Sequence, residues 1–195
     1  MKINFKKPTN ERGILFISIN SKNTDEIIKE GNKKTFYLKC DEKMTLRKLF
    51  PLGRKMIIMA KSVKAEKISF NFNDFKFSDI KISDEELAEI IGTQLDFANY
   101  EFVDYKSKKE NIFIKEVYLS GIGKNIGKYL LKGQKIALEV NKTRTLANTP
   151  GGDMTPKILA EKAKKSVKGL PVKVNVLGEK EMEKQKMQAI LSVGR

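Results

Sequence analysis

The sequence contains no histidine, no tryptophan and a single cysteine, Cys40, in 195 residues. Without imidazole, Ser-His-Asp and Cys-His nucleophile pairs have no base. Zinc sites of the His/Cys kind lack their ligands for the same reason. Catalysis in such a chain falls to Asp, Glu, Lys or Tyr, or to metals held by carboxylates. One cysteine cannot build a disulfide framework and fits a reducing compartment; following the strand-like TFYLK, it reads as a small, half-buried residue. Long apolar runs are missing too. The longest aliphatic stretch, Met56 to Ala60, is far too short to span a bilayer. The opening MKINFKKP has no apolar centre of the signal-peptide kind. The expectation is a soluble, cytoplasmic protein with no membrane contact.

Charge is present in excess: 39 Lys+Arg against 24 Asp+Glu give +15. Residues 1–50 carry +6, 51–100 carry −1, and 101–150 and 151–195 carry +5 each, so the excess is spread rather than gathered in an arm. Only five of the 39 basic residues are arginine (Arg12, Arg47, Arg54, Arg144, Arg195). Arginine is the usual side chain for bidentate reading of bases and phosphates, so a lysine excess predicts at most weak, salt-sensitive, non-specific nucleic-acid binding. A lysine-rich solvated surface is the simpler reading.

Hydrophobic periodicity supplies the elements. ILFISI (14–19), KTFYLKC (34–40), KISFNF (67–72), NIFIKEVYL (111–119), VKVNVL (172–177) and AILSV (189–193) read as strands. From Thr45, apolar residues recur at helical spacing through Val63, with Pro51 and Gly53 obscuring the first part. Ser83, with Glu86 three residues on, closes a capping box on a helix that buries Leu87, Ile90, Ile91, Leu95 and Ala98. A long helical pattern runs from about Lys124 to Ala147. Thr155 followed by Pro156 marks the start of another helix, lined by Leu159, Ala163 and Val167 and ended by Gly169. EKEMEKQKM is a short polar helix. Alternating strands and helices predict an α/β layered fold: an N-terminal α/β domain over 1–122, a linker helix over 123–147, and the first elements of a second α/β domain over 148–195.

Three motifs invite chemistry and are better explained structurally. SGIGKNIGKY would need glycines at 121, 123 and 126 to bind a dinucleotide, but 126 is Ile; Tyr129 stands where a phosphate loop needs Ser or Thr. Gly151-Gly152-Asp153 reads as a connector. Asp84, Glu85, Glu86 and Glu89 fall in the first turns of a helix, where acids complement the dipole.

The stretch NKTRTLANTPGGDMTPKILAEKAKK resembles the leucyl (cytosol) aminopeptidase family, whose Arg-x-Leu-x-Asn-x-Pro signature precedes a step into a helix. The matching positions are Arg144, Leu146, Asn148, Pro150, Met154 and Pro156, and Val193-Gly194 matches the end of the family's next segment. The resemblance implies a macro-domain-like layered sheet for the N-terminal domain, with 148–195 opening a catalytic peptidase domain. It also implies metal-dependent removal of Leu-like N-terminal residues from peptides, two divalent ions (Mn or Zn) and a homohexamer. The family's metal-binding lysine and its Asn-Thr-Asp-Ala-Glu-Gly-Arg signature would lie C-terminal to Arg195. Asn23-Thr24-Asp25-Glu26 copies part of that signature but reads as a helix N-cap. No catalytic, metal or cofactor-binding residue is therefore assigned in this chain, no metal is expected to bind it, and it is expected to be inactive alone. The alternative is a basic module binding DNA non-specifically.

Overall fold

The apolar run Ile14–Asn20 forms a central strand, β2, of a six-stranded sheet. Around it lie β1 (Lys2–Asn4), β3 (Glu26–Glu30), β4 (Lys33–Lys39), β5 (Lys67–Asn71) and β6 (Glu116–Ser120), in the order β1-β6-β5-β2-β4-β3. All neighbours run parallel except β3 and β4, an antiparallel pair at one edge. The structure, a computed structural model, describes residues 1–9, 12–20, 24–107 and 113–194.

Register decides which side chains share a face. Ile17 lies level with Phe36 and Phe70, and Phe70 with Leu119. All four are buried, together with Leu15, Leu38, Ile68 and Val117. This face packs into one core with α1 (Leu46–Ser62) and α2 (Asp84–Asn99), through Met56, Ile57, Leu87, Ile91 and Leu95. The other face carries Phe16, Ser18, Tyr37, Asn71 and Tyr118, all half-buried.

The helix termini follow local chemistry. Thr45 caps α1 by accepting from the Lys48 N–H at 3.3 Å. The helix is continuous through Pro51, its sixth residue, at the cost of one intrahelical bond. The capping box is formed as expected: the Glu86 N–H donates to Ser83 Oγ (3.2 Å) and the Ser83 N–H to Glu86 Oε2 (2.9 Å).

The long helix, α3, spans Gly127–Asn148. Its buried residues are Gly127, Leu130, Gly133 and Ala137, whereas the apolar marks Ile136 and Val140 are each 40% exposed. Small residues make the contact with α2. A Cβ on Gly92 would stand 2.1 Å from the Leu130 carbonyl oxygen, and one on Gly133 would stand 2.1 Å from that of Glu89. Thr93 Oγ1 donates to the carbonyls of Glu89 (2.7 Å) and Gly133 (3.2 Å). The helix read from sequence as a linker is, over its first half, seated backbone to backbone on α2. The chain divides into one unit of Met1–Arg144 and another of Thr145–Arg195.

Within the second unit, the end of α3 is followed by α4 (Pro156–Ser166), α5 (Glu179–Lys184) and α6 (Gln188–Gly194). Thr155 and Pro156 begin α4 as expected, with Thr155 Oγ1 accepting from the Ile158 N–H at 3.4 Å. Two strand expectations fail here. VKVNVL has no ladder partner and forms no strand, since alternation alone yields extended chain unless a neighbour supplies the other half of the bonds. AILSV lies inside α6; an apolar run this short carries no periodicity that separates helix from strand. The regular elements among this unit's described residues are all helices.

Smaller corrections apply in the first unit. Thr24-Asp25 leads into β3 at Glu26, not into a helix: the Asp25 carboxylate accepts from the Lys39 N–H across the hairpin at 2.8 Å and pairs with Lys55. Asn23 of that motif lies outside the described residues. Phe72 leaves β5 and enters a 3-10 turn, Phe72–Phe75. NIFIKEVYL contributes β6 only from Glu116, its first two residues lying outside the described ones. Before the strand, Ile114 is clamped by Asn99, whose side chain donates to its carbonyl and accepts from its N–H, each at 2.9 Å.

Candidate functional site

The glycine-rich loop after β6 is a packing turn. Gly121 adopts φ +74°, and a Cβ there would fall 2.0 Å from Asn71 Oδ1. Only glycine lets this turn close against the end of β5. The loop then winds into α3, with the Ile126 N–H donating to the Gly123 carbonyl (3.0 Å) and Tyr129 to Ile126 (2.9 Å).

The acidic residues at the start of α2 are engaged locally. Glu86 completes the capping box, Asp84 pairs with Lys76 at 2.6 Å, and Glu89 pairs with Lys132 at 2.8 Å. Among the described residues no three Cys, Asp or Glu side chains gather as metal ligands.

The signature residues occupy the junction between α3 and α4. The Arg144 guanidinium lies 4.2 Å from the Tyr100 ring centroid and donates to the Phe97 carbonyl (3.1 Å) and Asn141 Oδ1 (2.9 Å). It thus ties the end of the first unit to the C-terminus of α2, where a cation complements the helix dipole. Thr149 closes α3 with N–H and hydroxyl donations to the Thr145 carbonyl. The Asp153 and Met154 N–H groups both donate to the Pro150 carbonyl at 2.9 Å. Gly151 and Gly152 have nothing near their Cβ positions, as befits a connector. These residues build a helix–turn–helix joint rather than a reactive constellation.

Sequence reading overlooked two features. Asp96 is 5% exposed with an Oδ2 that has no partner. Burial pushes its carboxyl above the usual range, offset in part by Gln134 and the chain's amino terminus. The other is a cleft of about 440 Å³ on the half-buried face of the sheet. Phe16, Ser18, Tyr37, Ser69, Asn71 and Asp74 line it. Burial raises the Asp74 carboxyl as well. The available signal was the run of polar alternates in strands whose other face is wholly apolar. Cys40 is half-buried, as expected, and burial pushes its thiol up, with Asp41 adding to the effect.

Residues 141–195 match the family model described as the catalytic domain of the cytosol aminopeptidase family. A probable cytosol aminopeptidase of Fusobacterium nucleatum is 35% identical over 169 residues, covering 87% of this chain and 30% of the relative. One from Aquifex aeolicus is 35% identical over 115 residues, 56% of this chain and 22% of its own length. The chain thus spans less than a third of these relatives. Among solved structures, a tomato leucine aminopeptidase mutant superposes with a TM-score of 0.79 at 17% identity, over 95% of this chain and 46% of that one. The bottromycin maturation enzyme BotP gives 0.64 at 10% identity, over 80% of this chain and 37% of its own. At such identities the likeness is one of fold.

Proposed function

Because this chain belongs to the cytosol aminopeptidase family, we propose that it forms the N-terminal domain, linker helix and opening segment of the catalytic domain of a metal-dependent leucyl aminopeptidase. Residues 1–122 are the non-catalytic domain in this reading, 123–147 the linker, and 148–195 the start of the peptidase domain. The carrying observation is the family match over 141–195, with Arg144, Asn148, Pro150 and Pro156 spaced as in the family signature. The whole protein would work in the cytoplasm as a homohexamer, taking Leu-like residues from peptide N-termini. Two divalent ions, Mn or Zn, would polarise the scissile carbonyl and activate water there. In this reading their ligands lie outside this chain, whose own part is to fold and to deliver the opening of the peptidase domain. Two facts accord with a cytoplasmic setting: the relatives are named cytosol aminopeptidases, and no helix among the described residues is long and apolar enough to cross a membrane.

The test is to extend the reading frame past Arg195 and assay both forms on a leucyl anilide with manganese. The extended protein, carrying an Asn-Thr-Asp-Ala-Glu-Gly-Arg segment, is expected to turn over, and the 195-residue chain to be inert. Turnover by the 195-residue chain, or no such segment downstream, overturns the reading. The rival, non-specific DNA binding, rests on the +15 charge alone.

A further inference from the structure

Two of the chain's five arginines, Arg54 and Arg144, line one cleft of about 410 Å³ within the first unit. α2 packs against both α1 and α3, and the cleft takes its lining from those two helices and from the C-terminal end of α2. Each flanking helix brings an arginine and an aliphatic side chain one turn apart: Arg54 with Ile58 from α1, Val140 with Arg144 from α3. The end of α2 contributes Phe97, Ala98 and the capping residue Tyr100.

The charge of this cleft is of one sign. No carboxylate lines it among the described residues. Of those flanking Phe97–Tyr100 in sequence, Asp96 is buried and Glu101 pairs with Lys61 at 2.7 Å. α1 contains no acidic residue, and the one acid of α3, Glu139, pairs with Lys142 at 2.7 Å. The carbonyls at the end of α2, which would repel an anion, are already engaged: that of Phe97 by Arg144, those of Ala98 and Asn99 by Lys61. Among the described residues Arg54 donates through Nε alone, to Gln94 Oε1 at 2.7 Å, and Arg144 through one Nη alone. Both guanidiniums therefore keep donors in the planar array that matches a carboxylate or phosphate. Beside them the walls are aliphatic, with Ile58 62% and Val140 40% exposed. A bare inorganic anion would leave that surface in water. A free amino acid would bring its ammonium up to two guanidiniums. We infer that this cleft binds a carboxylate carrying a branched aliphatic group and no neighbouring ammonium, Arg54 and Arg144 taking the carboxylate and Ile58 and Val140 packing on the aliphatic group. The carboxyl end of a peptide closing in Leu, Ile or Val has this chemistry, and so has a free short branched acid. The site lies wholly in the first unit and stands or falls without the peptidase reading.

The experiment is a titration of the ¹⁵N-labelled full chain, followed by amide shifts. N-acetyl-leucine stands for a peptide end and 4-methylpentanoate for a free acid, with N-acetyl-leucinamide and inorganic phosphate as comparison probes. Saturable shifts centred on Arg54, Ile58, Tyr100 and Arg144 are expected with a carboxylate probe. A response to N-acetyl-leucine alone assigns the peptide end, one to 4-methylpentanoate alone the free acid, and one to both the shared chemistry. Arg54→Gln should weaken binding roughly ten-fold by removing a charged donor. Arg54→Lys, which keeps the charge without the fork, should weaken it less. Ile58→Ser should weaken the carboxylates by roughly three-fold and leave phosphate unchanged. All three positions are at the surface, so the melting temperature should hold. Absence of saturable shifts with both carboxylates up to about 20 mM overturns the proposal. So does equal binding of the uncharged amide, tighter binding of phosphate than of either carboxylate, or wild-type affinity in Arg54→Gln.

Discussion

Both units contain helices with clear local signals, and they differ in what those helices have to cover. In Met1–Arg144 two amphipathic helices and a sheet bury each other, leaving Leu15, Phe36, Met56, Ile57 and Leu95 with no exposure at all. In Thr145–Arg195 the one buried hydrophobic among the described residues is Leu191, while Leu159, Leu170, Val172 and Ile190 stand about half exposed. A groove of about 580 Å³, lined by Ala160, Val176, Leu177, Met182, Ile190 and Leu191, runs through that unit. Both have good local signals, including N-caps and a proline-led helix start. Caps decide where a helix begins; stability comes from apolar area removed from water.

The sharpest way to break this comparison is hydrogen exchange. Amides of β2, β5 and α2 should be protected at least roughly 10³-fold better than those of α4 to α6, the spread expected between a closed core and locally opening helices. Limited proteolysis should cut after Asn148 first. Equal protection in a monomer would mean that the second unit is closed in itself, and would undo the reading of it as the opening of a larger domain.

Next in size is Gly133→Leu. With a carbonyl oxygen 2.1 Å from the Cβ position, the helices must separate, and a loss of about 3 kcal/mol or more is expected in thermal or urea melts. Gly152→Ala, with nothing within 4 Å, should change stability by less than about 0.5 kcal/mol. A small effect at Gly133 would show that α3 is not seated as described.

Asp96→Asn probes the first unit's one unpartnered buried carboxylate oxygen among the described residues. Burial raises the folded-state pKa of Asp96, so the neutral acid suits the fold. Its contribution is fully present below the unfolded pKa and lost as pH rises through the folded one. At pH 7 the neutral amide should therefore stabilise by on the order of 1 kcal/mol, the gain shrinking to nothing below about pH 4. Urea melts across that range decide it; a destabilising variant at pH 7 would mean the charge is satisfied.

The smallest effect is expected from Thr155→Ala. Removing this cap should lower the helicity of α4 by the equivalent of about 1 kcal/mol, without moving the melt of the first unit. A shift of the main transition would show that the two units unfold together.

Legibility followed the range of the interaction. Ser83 with Glu86 and Thr155 with Pro156 could be read because their partners lie within three residues. The central strands could be read because their core-facing positions are apolar at every second residue, as Ile68 and Phe70 are in β5. β3, a charged edge strand of EIIKE, could not: its pairing depends on β4 and on Asp25 reaching Lys39. VKVNVL was misread for the converse reason, having the alternation without the neighbour. The seat of α3 was hidden because its contacts are glycines, which weaken a helical pattern. The cleft on the half-buried sheet face shows locally only as polar alternates along the strands; which strands line it depends on their order. The junction motif was legible as a resemblance, and its geometry shows a joint.

The contact at Gly92 and Gly133 also makes α3 a measuring rod. Two backbones that touch at one point cannot slide past each other, so distance along the helix counts from Gly133. Arg144 lies eleven residues further on, close to three whole turns, which brings its guanidinium round to the Tyr100 ring on the same neighbouring structure. Inserting one residue between the two would advance the helix by about 1.5 Å and rotate it by about 100°, swinging Arg144 off its ring. Inserting four would nearly restore the phase but overshoot by about one turn, so neither the length nor the angle of this segment can drift alone.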